Sequence, residues 1–445
     1  MFEKVFKLKE HNTKISTEII AGITTFFAMA YIIFVNPNLL SATGMDYTAV
    51  MIATCLSAAI GTFLTAFIAN VPFAQAPGMG LNAYFTYTIV LGMGYTWQQG
   101  LAIVLISGIL FLLITVSPLR KMVIASIPAP LKSAIGAGIG LFIAFIGLLN
   151  IGLVQLGAVP SLGLTVADAE TGAVSLNMNA VLCVIGLLIT GALMAWKVKG
   201  AMIIGIIVTT LIGIPMGITN FGAINTNISI APTFFQLDFN LMTLGILPLI
   251  TAIVTFAIVD MFDTVGTLIG TAGNAGMLDE DGNFPGGDRA LLADAIATCT
   301  GACLGTSTVT TFVESSTGIS EGGRTGLSSV VTGLLFLIAI VLAPIASVVP
   351  SAATAPALII VGVLMMKSTK NIEWNDFEIA LPCFLTISMM AFAYSISDGI
   401  GFGFISYVFI KMVRGKFKDV PVLLYILAAV FLLKYILTIV TSVHA

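Results

Sequence analysis

Charge is scarce in this chain. Only 9% of its 445 residues are Asp, Glu, Lys or Arg, while 58% are hydrophobic. A soluble domain of this size needs many more charged residues on its surface, so the composition excludes a soluble globular domain. The apolar residues form repeated runs of about 20 residues, the length that a helix needs to cross a bilayer. The sequence therefore predicts an all-α polytopic membrane protein.

Histidine is nearly absent, because only His11 and His444 occur, both near the chain ends. No histidine can relay a proton in mid-membrane, so a proton-driven transporter would have to use a buried carboxylate. Lys and Arg are missing from the middle of the first fourteen apolar segments, and an anionic substrate would therefore depend on helix N-termini alone. These absences favour a neutral, hydrogen-bonding substrate, and they offer no basic face to nucleic acid.

Metal-binding and enzyme signatures are also lacking. Cys299 and Cys303 share one helix face, but no histidine or second cysteine pair completes a metal site. The sequence contains no zinc-protease motif and no nucleophile elbow. We therefore expect no metal, no cofactor and no enzymatic activity.

Fourteen apolar segments are predicted, numbered 1 to 14 in chain order, with one further apolar run after them. The predicted ranges are 17–36, 46–70, 74–91, 97–117, 133–154, 177–196, 200–218, 243–270, 289–305, 309–323, 327–349, 354–367, 378–396 and 398–414, and the further run is 421–441. Counted in this way, the flanking basic residues, such as Arg120 and Lys121, fall on one side of the membrane. This pattern places the N-terminus in the cytoplasm. The further run contains Lys434 and is either an extra span or an interfacial helix.

Segments 3 and 10 are interrupted in matching ways. Segment 3 opens with PFAQAPGMGLNAYF, in which Pro77, Gly78 and Gly80 oppose a regular helix. Segment 10 opens with TVTTFVESSTGISEGGRTG, which is rich in β-branched residues and then in Ser and Gly. Each break lies in the third segment of a group of seven, and an odd number of segments makes the two groups antiparallel. Matched breaks of this kind indicate a transport site built from an inverted repeat.

Few ionisable side chains fall inside the segments, and such groups are costly in a membrane and therefore informative. Asp260 and Asp263 share one face of segment 8, Glu314 lies at the break in segment 10, and Asn82 follows the break in segment 3. The alternatives are a structural hydrogen bond for either aspartate or for Asn82, and a helix cap for Glu314. Further candidates are the carboxylates Asp294 and Asp398 and, for stacking on a flat ring, the side chains of Phe26, Phe73 and Phe312.

Four motifs together resemble the azaguanine-like purine permeases, a branch of the nucleobase–ascorbate transporter family. They are QAPGMGLNAYF (75–85), DMFDTVGTLIG (260–270), DEDGNFPGGDRALLADA (279–295) and GTSTVTTFVESSTGISEGGRTGL (305–327). The match runs over nearly the whole chain, and the bacterial hypoxanthine/guanine permeases are the group it resembles most. The resemblance implies fourteen segments in two inverted repeats of seven, with short β-strands in segments 3 and 10 that meet at the substrate.

The same resemblance implies a core domain (1–132 and 243–349) and a gate domain (133–242 and 350–445). It also implies a homodimer in the cytoplasmic membrane that works by an elevator-like alternating access, with the proton as coupling ion. The acid of the family's segment 8 falls at Asp263 in DTVGT, with Asp260 as a shifted alternative, and the acid of segment 10 falls at Glu314. In segment 10 the family has the pattern Glu-Asn-x-Gly, and the corresponding stretch of this chain, ESSTG (314–318), is one residue longer. Asn82 matches the polar residue of segment 3.

The predicted function is import of purine nucleobases, hypoxanthine or guanine, by proton symport. An adenine or uracil/xanthine permease is the alternative, and an anion transporter or channel on the same fold is a more remote one. The predicted substrate-binding residues are Glu314, Asp263, Asn82, Phe26, Phe73, Thr264 and Ser315. The predicted proton-coupling residues are Asp263, Glu314 and Asp260, and the backbone at the breaks is contributed by Gly78, Gly80 and Val313.

Overall fold

The computed structural model describes residues 2–118, 126–155, 161–167, 174–221, 228–274, 277 and 284–444. Arg120, Lys121 and the beginning of the third motif (279–283) lie outside these residues. Each of the fourteen predicted segments is present as a helix or as a strand followed by a helix. The chain is therefore the polytopic helical protein that its composition predicts.

The first seven segments contain one split helix and one strand. Their bounds are Ile15–Met29 with Ile32–Ser41 (segment 1), Tyr47–Leu64 continued by a π-helical turn at Thr65–Ala69 (2), the strand Gln75–Pro77 with the helix Met79–Ala83 and π-helix Tyr84–Gly92 (3), Trp97–Val116 (4), Ala129–Asn150 (5), Met178–Ala195 (6) and Ala201–Gly213 (7). Two hairpins of two- and three-residue strands, Val154–Gln155 with Ser161–Leu162 and Thr165–Ala167 with Val174–Leu176, lie between segments 5 and 6.

The second seven segments repeat this order. Their bounds are Ile246–Asn274 (segment 8), Gly287–Leu304 (9), the strand Val309–Thr311 with the helix Ser315–Ser320 (10), Gly326–Ala339 continued by Ile340–Leu342 and Ala343–Ala346 (11), Ser351–Met365 with Met366–Asn371 (12), Phe377–Phe392 (13) and Ile396–Val413 (14). Outside the segments lie the short helices Phe2–Phe6, Leu241–Leu244 and Phe417–Asp419, and the C-terminal helix Val422–His444.

Hydropathy and length alone do not give the full count. Among the described residues, nine helices are long and apolar enough to cross a membrane, and they belong to segments 1, 2, 4, 5, 6, 8, 11, 12 and 14. The apolar helices of segments 7 and 13 are shorter. Segments 3 and 10 begin as strands, and segment 9 contains Asp288, Arg289 and Asp294. Segments 3, 9 and 10 are therefore not among the nine.

Segment 1 differs from its prediction, because it is two helices and not one. The first ends at Met29 and the second begins at Ile32, and Ala30 and Tyr31 form the turn between them. The connecting turn has i to i−3 hydrogen bonds, such as Phe34 N–H to the Tyr31 carbonyl at 3.1 Å. Tyr31 therefore lies at a third break in the membrane-spanning helices.

The contacts between helices keep the same pattern when each segment is swapped with its counterpart seven places away in the chain. Segment 4 packs on segment 9, and segment 11 packs on segment 2. Likewise segment 1 packs on segment 11 and segment 8 on segment 4, while segment 5 packs on segment 13 and segment 12 on segment 6. Each of these contacts thus has a counterpart under the exchange. This is the packing that two inverted repeats of seven produce.

The two predicted strands cross as an antiparallel pair. Gln75 pairs with Thr311, Ala76 with Thr310 and Pro77 with Val309. Two further hydrogen bonds extend the pair, from Gly78 N–H to the Thr308 carbonyl at 2.9 Å and from Phe312 N–H to the Ala74 carbonyl at 3.0 Å. The pairing satisfies backbone groups that would otherwise be unpaired inside a membrane. We call this pair the strand crossing.

The C-terminal run is a helix that packs on segment 14. Lys434 donates to Asp398 Oδ1 at 2.7 Å, and the Tyr435 hydroxyl donates to the Asp398 carbonyl at 3.2 Å. The side chains of Lys434 and Asp398 are only 14% and 26% exposed. Asp398, a candidate site acid from the sequence, is therefore neutralised by the C-terminal helix and is not at the strand crossing.

Candidate functional site

Glu314 lies between the strand and the helix of segment 10. Its carbonyl accepts the Thr317 N–H at 2.9 Å, but its side chain makes no capping hydrogen bond to the helix. The side chain instead turns to segment 1, where Glu314 Oε1 accepts the Tyr31 hydroxyl at 2.8 Å. The carboxylate is thus free of the capping role that its position allows.

Two aromatic rings border this carboxylate. Tyr31 is only 1% exposed, and its ring centroid lies 6.5 Å from that of Phe312 at an interplanar angle of 43°. Sequence analysis named Phe312 as a stacking candidate but missed Tyr31. The only signal for Tyr31 in the sequence is a polar-tipped aromatic residue inside an apolar run. The contact arises from the break in segment 1, which sequence analysis did not predict.

Asp263 of segment 8 lies close enough to Glu314 for their carboxylates to interact electrostatically. Both side chains are partly accessible and not fully buried. Within the described part of the chain, the Asp263 carboxylate accepts no hydrogen bond. Two interacting carboxylates therefore have acceptor oxygens available to a ligand that donates N–H groups.

Thr264 and Ser315 form hydrogen bonds with residues at the strand crossing. The hydroxyls of Thr264 and Thr310 lie 2.8 Å apart and share a hydrogen bond, which ties segment 8 to the strand of segment 10. Ser315 Oγ accepts the Ala74 N–H at 3.0 Å and ties the helix of segment 10 to the strand of segment 3. Both predicted residues are buried and fix the position of the elements that present Glu314.

Asn82 is fully buried in the short helix after the strand of segment 3. Neither its Nδ2 nor its Oδ1 has a hydrogen-bond partner among the described residues. An unpartnered polar group costs about 1–3 kcal/mol when it is buried. An amide that can both donate and accept, held in this state beside a helix break, is suited to bind a ligand.

Phe26 and Phe73 each pack against another phenyl ring. Phe26 packs edge-on against Phe336 of segment 11, with ring centroids 5.1 Å apart. Phe73 is fully buried, and its ring centroid lies 5.5 Å from that of Phe284. Their predicted stacking on a substrate stays a prediction. Tyr31 contacts Glu314, and the Phe312 ring lies beside that of Tyr31.

The predicted glycines of segment 3 permit close approaches. A Cβ atom on Gly78 would lie 2.6 Å from Thr310 Cγ2, so only glycine lets the two strands cross at this distance. A Cβ atom on Gly80 would overlap the side chain of Ile139 in segment 5. Val313, the predicted counterpart at the break of segment 10, is 50% exposed.

Two more carboxylates are enclosed beside the strand crossing. Asp260 Oδ2 accepts the Thr298 hydroxyl at 2.8 Å, and Asp294 Oδ1 accepts Gln75 Nε2 and the Thr311 hydroxyl, both at 3.1 Å. Each acid leaves its other oxygen without a hydrogen-bond partner among the described residues. Both are buried, unlike Asp263 and Glu314.

Glu18 has a structural role that sequence analysis also missed. It is fully buried, and its carboxylate accepts the N–H groups of Arg324 at 2.9 Å and Ser328 at 3.2 Å. In the sequence Glu18 lies at the start of segment 1, directly after a polar stretch. In the fold it caps the start of segment 11 and holds the loop that follows segment 10.

Discontinuous segments that meet as strands inside an inverted repeat, with carboxylates at their crossing, define a membrane transporter. The fold is similar to that of the transmembrane domain of the cyanobacterial bicarbonate transporter BicA, with a TM-score of 0.64 and 16% identity. That match covers 86% of this chain and 97% of the other. At this identity the likeness shows the fold alone.

Family comparison completes the identification. The Xan_ur_permease model, described as "Permease family", matches residues 16–402, and the chain belongs to this family. It is 42% identical to the adenine permease AdeP of Escherichia coli (strain K12) over 98% of this chain and 96% of that protein. It is 43% identical to the guanine/hypoxanthine permease PbuG of Bacillus subtilis (strain 168) over 97% and 98%. The resemblance found in the four motifs is thus confirmed, and the protein is a multi-pass nucleobase permease and not an enzyme.

Proposed function

We propose that the protein imports purine nucleobases together with protons, and that hypoxanthine and guanine are its preferred substrates. The observation that carries the proposal is the pair of carboxylates, Glu314 and Asp263, which interact electrostatically next to the strand crossing. A 6-oxopurine presents ring N–H groups along its edges, and carboxylate oxygens are their natural acceptors. The unpartnered amide of Asn82 supplies a donor and an acceptor for another edge of the base.

The contacts of Glu314 suggest how the base is oriented. Tyr31 occupies one side of Oε1, which leaves Oε2 as the open acceptor for a ring N–H. Asp263 accepts a second N–H or carries the coupled proton. The neighbouring rings of Tyr31 and Phe312 provide the apolar surface against which a flat base stacks.

Proton coupling follows from the same pair. Two interacting carboxylates inside a membrane protein repel each other when both are ionised, and the segments provide no Lys or Arg in their middle to compensate. A proton shared by the pair removes this cost. A base that binds through its N–H groups then enters and leaves with the proton, which is the requirement for symport.

We further propose that segments 1–4 and 8–11 move as a core against a gate of segments 5–7 and 12–14, with the N-terminus in the cytoplasm. Packing supports this division, since segments 1, 2, 4, 9 and 11 contact one another, as do segments 5, 6, 12 and 13. One ion pair joins the two groups across their loops, from Lys199 Nζ to Glu321 Oε1 at 2.7 Å. A homodimeric scaffold remains a prediction, to be tested by cross-linking in membranes.

Uptake of radiolabelled hypoxanthine by cells that lack their own purine transporters tests the proposal. We expect uptake that a proton uncoupler abolishes and that neither Glu314→Ala nor Asp263→Ala supports. Glu373→Gln, which changes an exposed acid in a loop, serves as the control and keeps full uptake. Uptake that survives both site substitutions contradicts the site, and uptake that ignores the uncoupler contradicts symport.

An adenine permease is the second candidate, because AdeP and PbuG are almost equally similar to this chain. Adenine differs from hypoxanthine at the 6-position, where an amino group replaces the oxo group. Competition by unlabelled hypoxanthine, guanine, adenine, xanthine and uracil decides between the candidates. Stronger competition by adenine than by hypoxanthine would assign the protein to the adenine group.

A further inference from the structure

Each strand of the crossing has its outward backbone groups capped by one threonine. In the first repeat Gln75 N–H donates to Thr62 Oγ1 at 3.0 Å, and the Thr62 hydroxyl lies 3.1 Å from the Gln75 carbonyl. In the second repeat Val309 N–H donates to Thr298 Oγ1 at 3.3 Å, and the Thr298 hydroxyl lies 3.0 Å from the Val309 carbonyl. Thr62 and Thr298 lie in segments 2 and 9, which exchange in the repeat.

The two threonines differ in the number of hydrogen-bond acceptors that their hydroxyls have. Among the described residues, the Thr62 hydroxyl has a single acceptor, the Gln75 carbonyl. The Thr298 hydroxyl has two, because Asp260 Oδ2 lies 2.8 Å away in addition to the Val309 carbonyl at 3.0 Å. A threonine hydroxyl carries one hydrogen and cannot donate to both acceptors at once. The protonation state of Asp260 therefore decides which acceptor receives it.

When Asp260 is ionised, the Thr298 hydrogen is drawn to the carboxylate, because hydrogen bonds to charged acceptors are the stronger ones. The Val309 carbonyl then loses its donor. When Asp260 is protonated on Oδ2, its own O–H donates to Thr298 Oγ1, and the Thr298 hydrogen turns back to the Val309 carbonyl. The change adds one proton to one carboxylate oxygen and rotates one hydroxyl, and no other bond is made or broken.

We propose that Asp260 is a proton-binding switch whose state Thr298 relays to the strand of segment 10. Protonation completes the hydrogen bonding of Val309 and holds the strand that leads to Glu314, whereas ionisation loosens it. Asp260 and Thr298 are thus positioning residues and touch no substrate. The inference rests on the proposed proton-coupled transport and assigns a second proton-responsive group to it.

The surroundings of Asp260 favour occupancy by a proton. Asp260 is 1% exposed, and its Oδ1 has no hydrogen-bond partner in the described chain. The titratable groups that face it are Asp263 on its own helix and Asp294 and Cys299 on segment 9, none of which supplies positive charge. A buried carboxylate among other acids and without a cation is strongly disfavoured, and a bound proton removes the charge.

Infrared spectroscopy of the purified full-length protein tests the switch without depending on transport. We expect a carboxylic-acid C=O band that disappears in Asp260→Asn and shifts in frequency in Thr298→Val, since the O–H then loses its acceptor. Thr62→Val is the matched control and leaves the band unchanged. A band that Asp260→Asn does not alter at any pH overturns the proposal, and so does a band that Thr62→Val shifts as much as Thr298→Val does.

Uptake kinetics provide the second readout. We expect Asp260→Asn, Thr298→Val and their double variant to share one flattened pH profile of KM, because all three disconnect the same relay. We expect Thr298→Val to raise KM about fivefold, which corresponds to the net free-energy contribution of one hydrogen bond. Thr298→Ser keeps the wild-type profile, and Thr62→Val raises KM at every pH without flattening it. Additive effects of Asp260→Asn and Thr298→Val contradict the relay, even if purine uptake itself is confirmed.

Discussion

The hydroxyl of Tyr31 donates to Glu314 Oε1 at 2.8 Å and so joins the break in segment 1 to the break in segment 10. The two residues are 283 positions apart in the chain and belong to different repeats. Because Tyr31 is buried, the donor of this hydrogen bond is held in place and fixes one carboxylate oxygen. The proposed substrate acid is therefore oriented before any base arrives.

We expect Tyr31→Phe to raise the KM for purine uptake by about ten- to a hundredfold with a smaller change in the maximal rate. A hydrogen bond to a charged group contributes about 1.5–3 kcal/mol, and its loss lets the Glu314 side chain turn away. Tyr425→Phe is the control, because its exposed hydroxyl donates to the Phe417 carbonyl outside the site. An unchanged KM in Tyr31→Phe contradicts the orienting role.

Asn82→Leu separates stability from function. The substitution removes a buried amide that has no partner in the described structure, so we expect the ligand-free protein to unfold at the same or a higher temperature. Uptake should be lost, together with the increase in unfolding temperature that hypoxanthine causes in the wild type. A thermal-shift assay with and without hypoxanthine measures both effects. Retained stabilisation by hypoxanthine contradicts a role of Asn82 in binding.

Gly78→Ala tests the close approach at the strand crossing. The added methyl group would lie 2.6 Å from Thr310 Cγ2, and we expect a loss of about 1–3 kcal/mol of stability together with reduced uptake. The second substitution Thr310→Ser removes that Cγ2 atom and should restore much of the loss in the double variant. Gly270→Ala, which meets no atom within 4 Å, is the control and should be tolerated. If Thr310→Ser does not restore the stability of Gly78→Ala, the contact with Thr310 Cγ2 is not the cause of the loss.

The ion pair between Lys199 and Glu321 tests the proposed division into core and gate. Its side chains are 61% and 32% exposed, so we expect Lys199→Glu to change the free energy of unfolding by less than about 1 kcal/mol. If the two groups move relative to each other, the repulsion should nevertheless change the uptake rate, and Lys199→Glu with Glu321→Lys should restore it. Equal rates in the wild type and both variants contradict a moving contact at this position.

The sequence predicts those features that depend on local composition. The fourteen segments, the two breaks and the acids within them follow from apolar runs, from Pro77 and Gly78, and from carboxylates where a membrane disfavours them. Tyr31, Glu18 and Thr298 could not be identified in this way, because their partners lie in distant segments. Phe26 and Phe73 illustrate the same limit: many phenyl rings lie near the breaks, and side-chain packing determines which of them reaches Glu314.

The cap that Glu18 places on segment 11 has a mechanical consequence. A buried carboxylate from the first repeat accepts N–H groups at the start of a helix in the second, so neither repeat can shift here without breaking charged hydrogen bonds. Tyr31 and Glu314 fasten the same two repeats together a few turns away. If the proposed core moves against the proposed gate, the boundary between them therefore cuts through both repeats, and the moving part combines segments of the two.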